Sequence, residues 1–468
     1  MNSLRLFFLS TLIALFSINA YSQNGGYNLS FTIEGLNNVE CYLANYYGNK
    51  QYLKDTAQTN AKGEFTFKSK EALGGGIYLV VMPGQKYFEI VVDADQEFHM
   101  QCDTLDYVKS MKVSGSEDNE LFYGYLKYIS TKQEEVKQYS TALEDDPDNK
   151  KAKEGVERID NEVKTYKRDF MQKHASSFVS SIFKASQDPE IPDAPTLENG
   201  KKDSTFAFRY YRAHFWDEID LNDDRLLRTP IYHTKMEQYI TKLTVQIPDS
   251  INAAADFLVS KVTSNEELFK YTVWWITNHY ETSKIMGMDA VFVHMVENYY
   301  TKEKAFWVDE TTLFKIRDRA KVLKPILLGK VCPNIVLTDS TGEYHSLHNV
   351  KKEYTIVYFW DPDCSHCKTV TPILKDVYGR NRADIEVFAV CVEIEIDKWK
   401  KYIKENELDW INVADPNLRN NFRHDFDIST TPQIFVLDKD KKIIAKRLDV
   451  EQVEEFIKDR KEKDNKGL

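Results

Sequence analysis

The chain has 468 residues, too many for one ordinary hydrophobic core, so two to four domains are expected. Hydrophobic residues make up 42% and aromatics 13%, which suits a folded globular protein and excludes a disordered one. The formal charge is −11 and no long basic block interrupts it, which argues against a nucleic-acid partner, because phosphate contacts need clustered Lys and Arg.

Residues 1–22 are expected to be a secretory signal peptide. Arg5 supplies the positive start, Leu6 to Ile18 is an apolar run with Ser10 and Ser17 inside it, and Ala20 and Ser22 are small residues at signal-peptidase spacing. Cleavage is expected after Ser22, with Ala20 as the second choice. An uncleaved membrane anchor is the alternative, although the run is short for a spanning helix. No cysteine follows it to carry a lipid, and no later stretch approaches about 18 apolar residues. The mature protein is therefore expected in the periplasm, soluble after cleavage or held at the membrane if the anchor is kept. In that compartment the cysteines Cys41, Cys102, Cys332, Cys364, Cys367 and Cys391 lie where disulfides persist. They are too sparse for a disulfide-built scaffold, and only Cys364 and Cys367 have a short motif spacing.

Residues 23–117 read as an antiparallel β-sandwich. Tyr27, Leu29, Phe31 and Ile33 alternate with polar neighbours, as do Phe65 with Phe67 and Phe88, Ile90 and Val92, between turn signals such as Ala61-Lys62-Gly63. Cys41 and Cys102 fall on apolar phases of their strands and read as buried free thiols, with a disulfide between them as the alternative.

Residues 118–326 read as helical. Phe122, Leu126, Ile129, Val136, Tyr139 and Leu143, then Ala152, Val156, Ile159, Val163, Tyr166 and Phe170, form two narrow apolar stripes joined by an acidic turn at Glu144–Asn149. That pattern predicts an antiparallel helical hairpin with arms about 40 Å long at 1.5 Å per residue. Its stripe is expected to bury against the protein's own helices, with burial against a partner as the alternative. His174, His214, His233, His279 and His294 show no repeated metal-ligand spacing and read as structural.

Residues 327–468 read as an α/β domain. A leading hairpin at VCPNIVLTDSTGEYHSL precedes the buried strands TIVYFW and IEVFAVCVE, which alternate with helices, and the hairpin QIFVLDKDKKIIAKRL precedes a C-terminal helix. Cys364 opens the helix after TIVYFW. Unpaired N–H groups and the positive dipole end of that first turn favour thiolate over thiol. Cys367 lies one turn on, within disulfide reach and less exposed. Dithiol exchange requires this arrangement of an accessible thiolate with a resolving thiol beside it. Between them lie Ser365 and His366, whose imidazole would favour the thiolate, whereas the carboxylate of Asp363 would oppose it. The two push in opposite directions, so the net shift stays unsigned.

The segment YFWDPDCSHCKTVTPIL resembles the active-site segment of thioredoxin-fold proteins, in Phe359, Trp360, Cys364, Cys367, Lys368 and Pro372. Ser429-Thr430-Thr431-Pro432, followed by strand QIFVLD, resembles the cis-proline loop of that family. The resemblance implies that this loop faces the two cysteines, that Thr431 and Pro432 bind the substrate chain, and that Trp360 lies in the substrate-binding surface. An extra strand–helix unit, the leader and the Cys-Pro-Asn-Ile approach are similar to the exported TlpA/ResA-like branch. Two acids of the wider family are absent: Tyr358 stands where a buried Asp is usual and Val370 where some exported relatives carry Glu.

Rival uses of the pair fare worse. A zinc or copper site needs further ligands, and there is one CxxC. A peroxidase of the peroxiredoxin kind needs Thr or Ser where Asp361 stands and Pro where Val357 stands. A static disulfide leaves the Thr431-Pro432 loop unexplained. The expectation is a thiol–disulfide oxidoreductase without a cofactor, a reductase for preference, with oxidase or isomerase using the same residues. Its expected partners are envelope proteins bearing disulfides or dithiols, and a membrane or soluble thiol reductase as electron donor. The front regions would recognise the partner or hold the redox site at a distance from another surface. The alternative is an envelope binding protein whose thioredoxin-like domain is regulatory or vestigial. Cys391 reads as buried and inert, and Cys332 as either its neighbour or free.

Overall fold

In the computed structural model residues 25–465 are described, so the expected signal segment 1–22 lies outside the described residues. The chain divides into two units. The first runs to Pro192 and adds Trp216–Asp220 and Arg225–Thr234, and the second holds the remainder.

The first unit begins with eight strands: β1 (Tyr27–Glu34), β2 (Glu40–Tyr47), β3 (Lys50–Gln58), β4 (Glu64–Ser69), β5 (Gly76–Met82), β6 (Lys86–Val92), β7 (Glu97–Asp103) and, after the short helix α1 (Tyr107–Ser110), β8 (Lys112–Ser114). They form two four-stranded sheets, ordered β4-β1-β7-β8 and β3-β2-β5-β6. Alternation puts Leu29, Phe31 and Ile33 of β1 inside, and Phe31 of one sheet meets Phe88 of the other with ring centroids 6.1 Å apart. One pairing departs from the antiparallel expectation. β1 and β7 run parallel, with Leu29 opposite Phe98. Only strands joined by a tight hairpin must be antiparallel, and five other strands separate this pair in sequence. Cys41 and Cys102 are both buried free thiols, pushed up by that burial to about 11 and about 12.

Helix α2 (Glu117–Asp145) is capped by Ser116 and joined by the acidic turn to α3 (Lys150–Lys173), whose cap is Asn149, accepting from the Ala152 N–H at 3.0 Å. At its start Asn119 reaches the edge strand β6. Its Oδ1 accepts from the Val91 N–H at 2.8 Å and its Nδ2 donates to the Val91 carbonyl at 2.6 Å, which satisfies backbone groups that an edge leaves open. Within the hairpin, Tyr128 and Tyr166 stack at 4.0 Å. Helices α4 (Phe178–Ala185), α5 (Phe206–His214), α6 (Pro230–Thr241), α7 (Pro248–Lys261), α8 (Glu266–Glu281), α9 (Asp289–Tyr299) and α10 (Glu310–Leu323) follow. No helix among the described residues is long and apolar enough to cross a membrane.

The second unit ends in a seven-stranded mixed sheet ordered β10-β9-β13-β12-β11-β14-β15. Its strands are β9 (Val336–Thr338), β10 (Tyr344–Ser346), β11 (Tyr354–Trp360), β12 (Ile385–Cys391), β13 (Ile411–Ala414), β14 (Gln433–Leu437) and β15 (Ile443–Lys446). The helices between and after them are α11 (Ser365–Asn381), α12 (Ile396–Glu405), α13 (Phe422–Asp425) and α14 (Val450–Asn465). β11 is parallel to β12 and antiparallel to β14, and every one of its residues is buried, which explains the unbroken apolar run YTIVYFW. Lys446 of β15, 6% exposed, pairs with Asp289 of α9 and donates to the Ile326 carbonyl at 2.7 Å. Arg319 of α10 pairs with Asp427 beyond α13.

Candidate active site

β11 delivers the chain to the C-terminal edge of the sheet, where Asp361-Pro362-Asp363 turns it into α11. The Asp361 carboxylate accepts from the Asp363 N–H at 2.7 Å, and its carbonyl accepts from the Cys364 N–H at 3.2 Å. Cys364 is the N-cap of α11, with extended backbone (φ −70°, ψ 122°), and its Sγ accepts from the Cys367 N–H at 3.4 Å. A thiolate there meets the unpaired N–H groups of a helix start. Partial burial opposes its ionisation, but donation from the Cys367 N–H outweighs it, together with the Cys367 and Thr431 side chains and the His366 N–H. The Cys364 thiol is held below its usual value. Cys367 faces inward and is fully buried, which pushes its thiol up to about 12. Both are free thiols in this structure.

Thr431 and Pro432 lie across from Cys364. The Thr431–Pro432 bond is cis, and the Thr431 carbonyl is 3.4 Å from Cys364 Sγ, positioned to accept from the thiol. Sequence separation between these groups is 67 residues, so the sheet brings them together, β14 lying beside β11.

The other expected site residues divide. Ser365 and His366 occupy the first turn of α11 and are exposed. Asp363 is exposed and turned to Lys398 of α12, whose Nζ lies 2.9 Å from its carboxylate and 3.1 Å from that of Glu395. The Lys398 ammonium holds the Asp363 carboxyl below the usual range. The net shift at Cys364, unsigned from sequence, is thus downward, with the Cys367 N–H as the foremost lowering contact. Trp360 corrects the expectation of a substrate-facing ring. It is fully buried, against Tyr402 at 5.0 Å and Tyr358 at 6.3 Å, because β11 is covered on both faces and leaves its last residue no outlet to the surface.

Three features escape the motif. Tyr358 is more than a missing acid. Its hydroxyl meets Thr371 Oγ1 at 2.9 Å in the core behind Cys367, so a neutral Tyr–Thr pair replaces a carboxylate. Lys398 is the second. The third is Arg319, which with Val370, Thr430, Pro432, Gln433 and Arg447 lines a cavity of about 490 Å³ beside the cis-proline. Thr371, one turn after Cys367, was the one available sequence signal; the two cations come from elements whose placement the motif does not fix. Asp361, Asp363 and Glu393 also gather, their carboxylates within 4.8 Å of one another.

The family model described as thioredoxin-like matches residues 352–443. Two domains of unknown function, DUF4369 and DUF5106, match residues 27–122 and 149–325. The thiol–disulfide oxidoreductase ResA of Bacillus thuringiensis subsp. konkukian is 25% identical over 135 residues, 28% of this chain and 77% of that protein. ResA of Bacillus cereus is 24% identical over 120 residues, 25% of this chain and 68% of that protein. Among solved structures, a domain of a "possible thiol-disulfide isomerase" from Cytophaga hutchinsonii is 42% identical, covering 31% of this chain and 99% of that one, with a TM-score of 0.29. A thioredoxin-like protein from Bacteroides caccae is 16% identical, covering 58% of this chain and 99% of that one, with a TM-score of 0.44. Through its C-terminal region, the chain belongs to the thioredoxin-like thiol–disulfide oxidoreductases of the TlpA/ResA-like kind.

Proposed function

We propose that the protein is an exported, periplasmic reductase of protein disulfides, with residues 327–468 as its redox domain and Cys364 and Cys367 as its reacting pair. The observation that carries this reading is the division of labour between the thiols: Cys364 half-buried at a helix start with its thiol held down, Cys367 fully buried with its thiol held up. The Cys364 thiolate attacks one sulfur of a substrate disulfide, forming a mixed disulfide and releasing the other sulfur as a thiolate. Cys367 loses its proton and attacks Cys364 Sγ, forming the Cys364–Cys367 bond and releasing the second substrate thiolate. The substrate gains two electrons and the protein loses two. A membrane or soluble thiol reductase then restores the dithiol. The substrates are envelope proteins, with Thr431 and Pro432 offering the backbone on which the substrate chain rests.

Insulin, a protein with accessible disulfides, serves as the probe. The pre-reduced protein is expected to reduce it, Cys364→Ser to abolish the reaction, and Cys367→Ser to accumulate a mixed disulfide at Cys364. Undiminished activity in Cys364→Ser would sink the proposal.

A further inference from the structure

We propose that α10 of the helical region forms one wall of the groove that receives the substrate polypeptide, and that its Arg319 selects substrates carrying an acidic side chain beside the reactive half-cystine. This rests on the oxidoreductase reading above. The cavity of about 490 Å³ beside the cis-proline is walled on one part by the redox domain, through Val370, Thr430, Pro432 and Gln433, and on another by Arg319. Arg319 also lines an adjoining cavity of about 300 Å³, which it shares with Ser429 and with Phe314, a side chain 70% exposed on the same helix. A chain lying on the Thr431–Pro432 loop therefore passes α10.

On its α10 side the cavity presents a cation, Arg319. Arg319 and Arg447 both pair with the single carboxylate of Asp427, whose side chain is 11% exposed, so one guanidinium charge is left over. The first turn of α14, at Val450, borders the same cavity and adds the positive end of the helix dipole. Asp449 and Glu451 line it as well, exposed, and among the described residues neither pairs with either arginine. An independent sign of an unfilled partner is Gln433. It borders the cavity, is 8% exposed, and its Oε1 has no hydrogen-bond partner among the described residues. A buried acceptor costs free energy unless a donor reaches it, and a backbone N–H of the bound polypeptide supplies one. Guanidinium forks suit carboxylates through paired N–H donors, which makes Arg319 the selecting group.

The test is single-turnover exchange by the pre-reduced full-length protein with two disulfide-linked peptides. They differ only in Glu or Lys beside the half-cystine. Wild type is expected to favour the Glu peptide about two- to fivefold in rate constant, the range an exposed ion pair gives. Arg319→Gln should erase the preference, Arg319→Glu reverse it, and Arg319→Lys keep part of it. Raising the salt to 1 M should shrink it in wild type. Equal or reversed rates in wild type, or an unchanged ratio in Arg319→Glu, would overturn the proposal while leaving the oxidoreductase reading intact. A wild type that exchanges with neither peptide overturns both.

Discussion

Cys364 and Cys367 stand three residues apart, yet their surroundings move their thiols in opposite directions, one held down by N–H donors at the start of α11 and one pushed up to about 12 by burial. The consequence is a separation of pH dependences. Alkylation of Cys364 should rise with pH and level off below the ordinary thiol value. Decay of the mixed disulfide needs the Cys367 thiolate, so its rate should keep climbing, about tenfold per pH unit, through the neutral range and beyond. Stopped-flow alkylation and quenched mass analysis across pH 5–10 give both profiles, and parallel profiles would contradict the division of labour. At this scale the sequence was legible where chemistry is local: the order of the cysteines and the helix start between them place one thiol outward and the next inward. It was not legible where charge is delivered from afar. Whether Asp363 opposes the thiolate turns on Lys398, 35 residues away, and nothing in FWDPDCSHC reveals that cation. Trp360 is a third case. The resemblance put it in the substrate-binding surface, but β11 is covered on both faces, which keeps its last residue inside.

Elements were read well where a period is imposed by one buried face, as in β1, and where a stripe recurs every three to four residues, as in α2 and α3. Strand partners were not, because the parallel β1–β7 pairing is a long-range event that no local period encodes. The turn between β3 and β4 tests the local reading. Gly63 has φ +77°, and a Cβ there would lie 2.1 Å from the Ile33 carbonyl oxygen. Gly84 has φ +76°, but a Cβ would meet nothing within 4 Å. Both positions carry the left-handed penalty of about 1–2 kcal/mol for a residue with a Cβ. Only Gly63→Ala adds overlap with main chain, so it should destabilise by more than about 2 kcal/mol, while Gly84→Ala stays near 1 kcal/mol. Denaturant midpoints of the two variants check this, and equal losses would contradict it.

On the scale of the whole molecule, the second unit joins part of the helical region to the redox domain through polar contacts with little exposure. Lys446, 6% exposed, has Asp289 of α9 and the Ile326 carbonyl as its partners, and burial pushes its ammonium down. Asp289→Ala removes the countercharge from a buried lysine, a loss of about 3 kcal/mol that thermal unfolding should show as a lower Tm. Lys446→Met/Asp289→Leu should recover most of it, since an apolar pair has no charge to desolvate. Three regions were visible in the sequence as changes of period; that α9 and α10 belong with the redox domain was not, because Lys446, Asp289, Arg319 and Asp427 look like ordinary surface charges until the fold pairs them. The central claim is that Cys364 and Cys367 cycle between dithiol and disulfide as a reducing couple, and a redox titration tests it most directly. The protein is equilibrated in graded thiol–disulfide buffers, quenched by alkylation and weighed. The account predicts one two-electron transition confined to Cys364 and Cys367, with a potential near −270 mV, and no transition in Cys364→Ser. A pair that stays reduced across the series, or a potential near −120 mV, would contradict it.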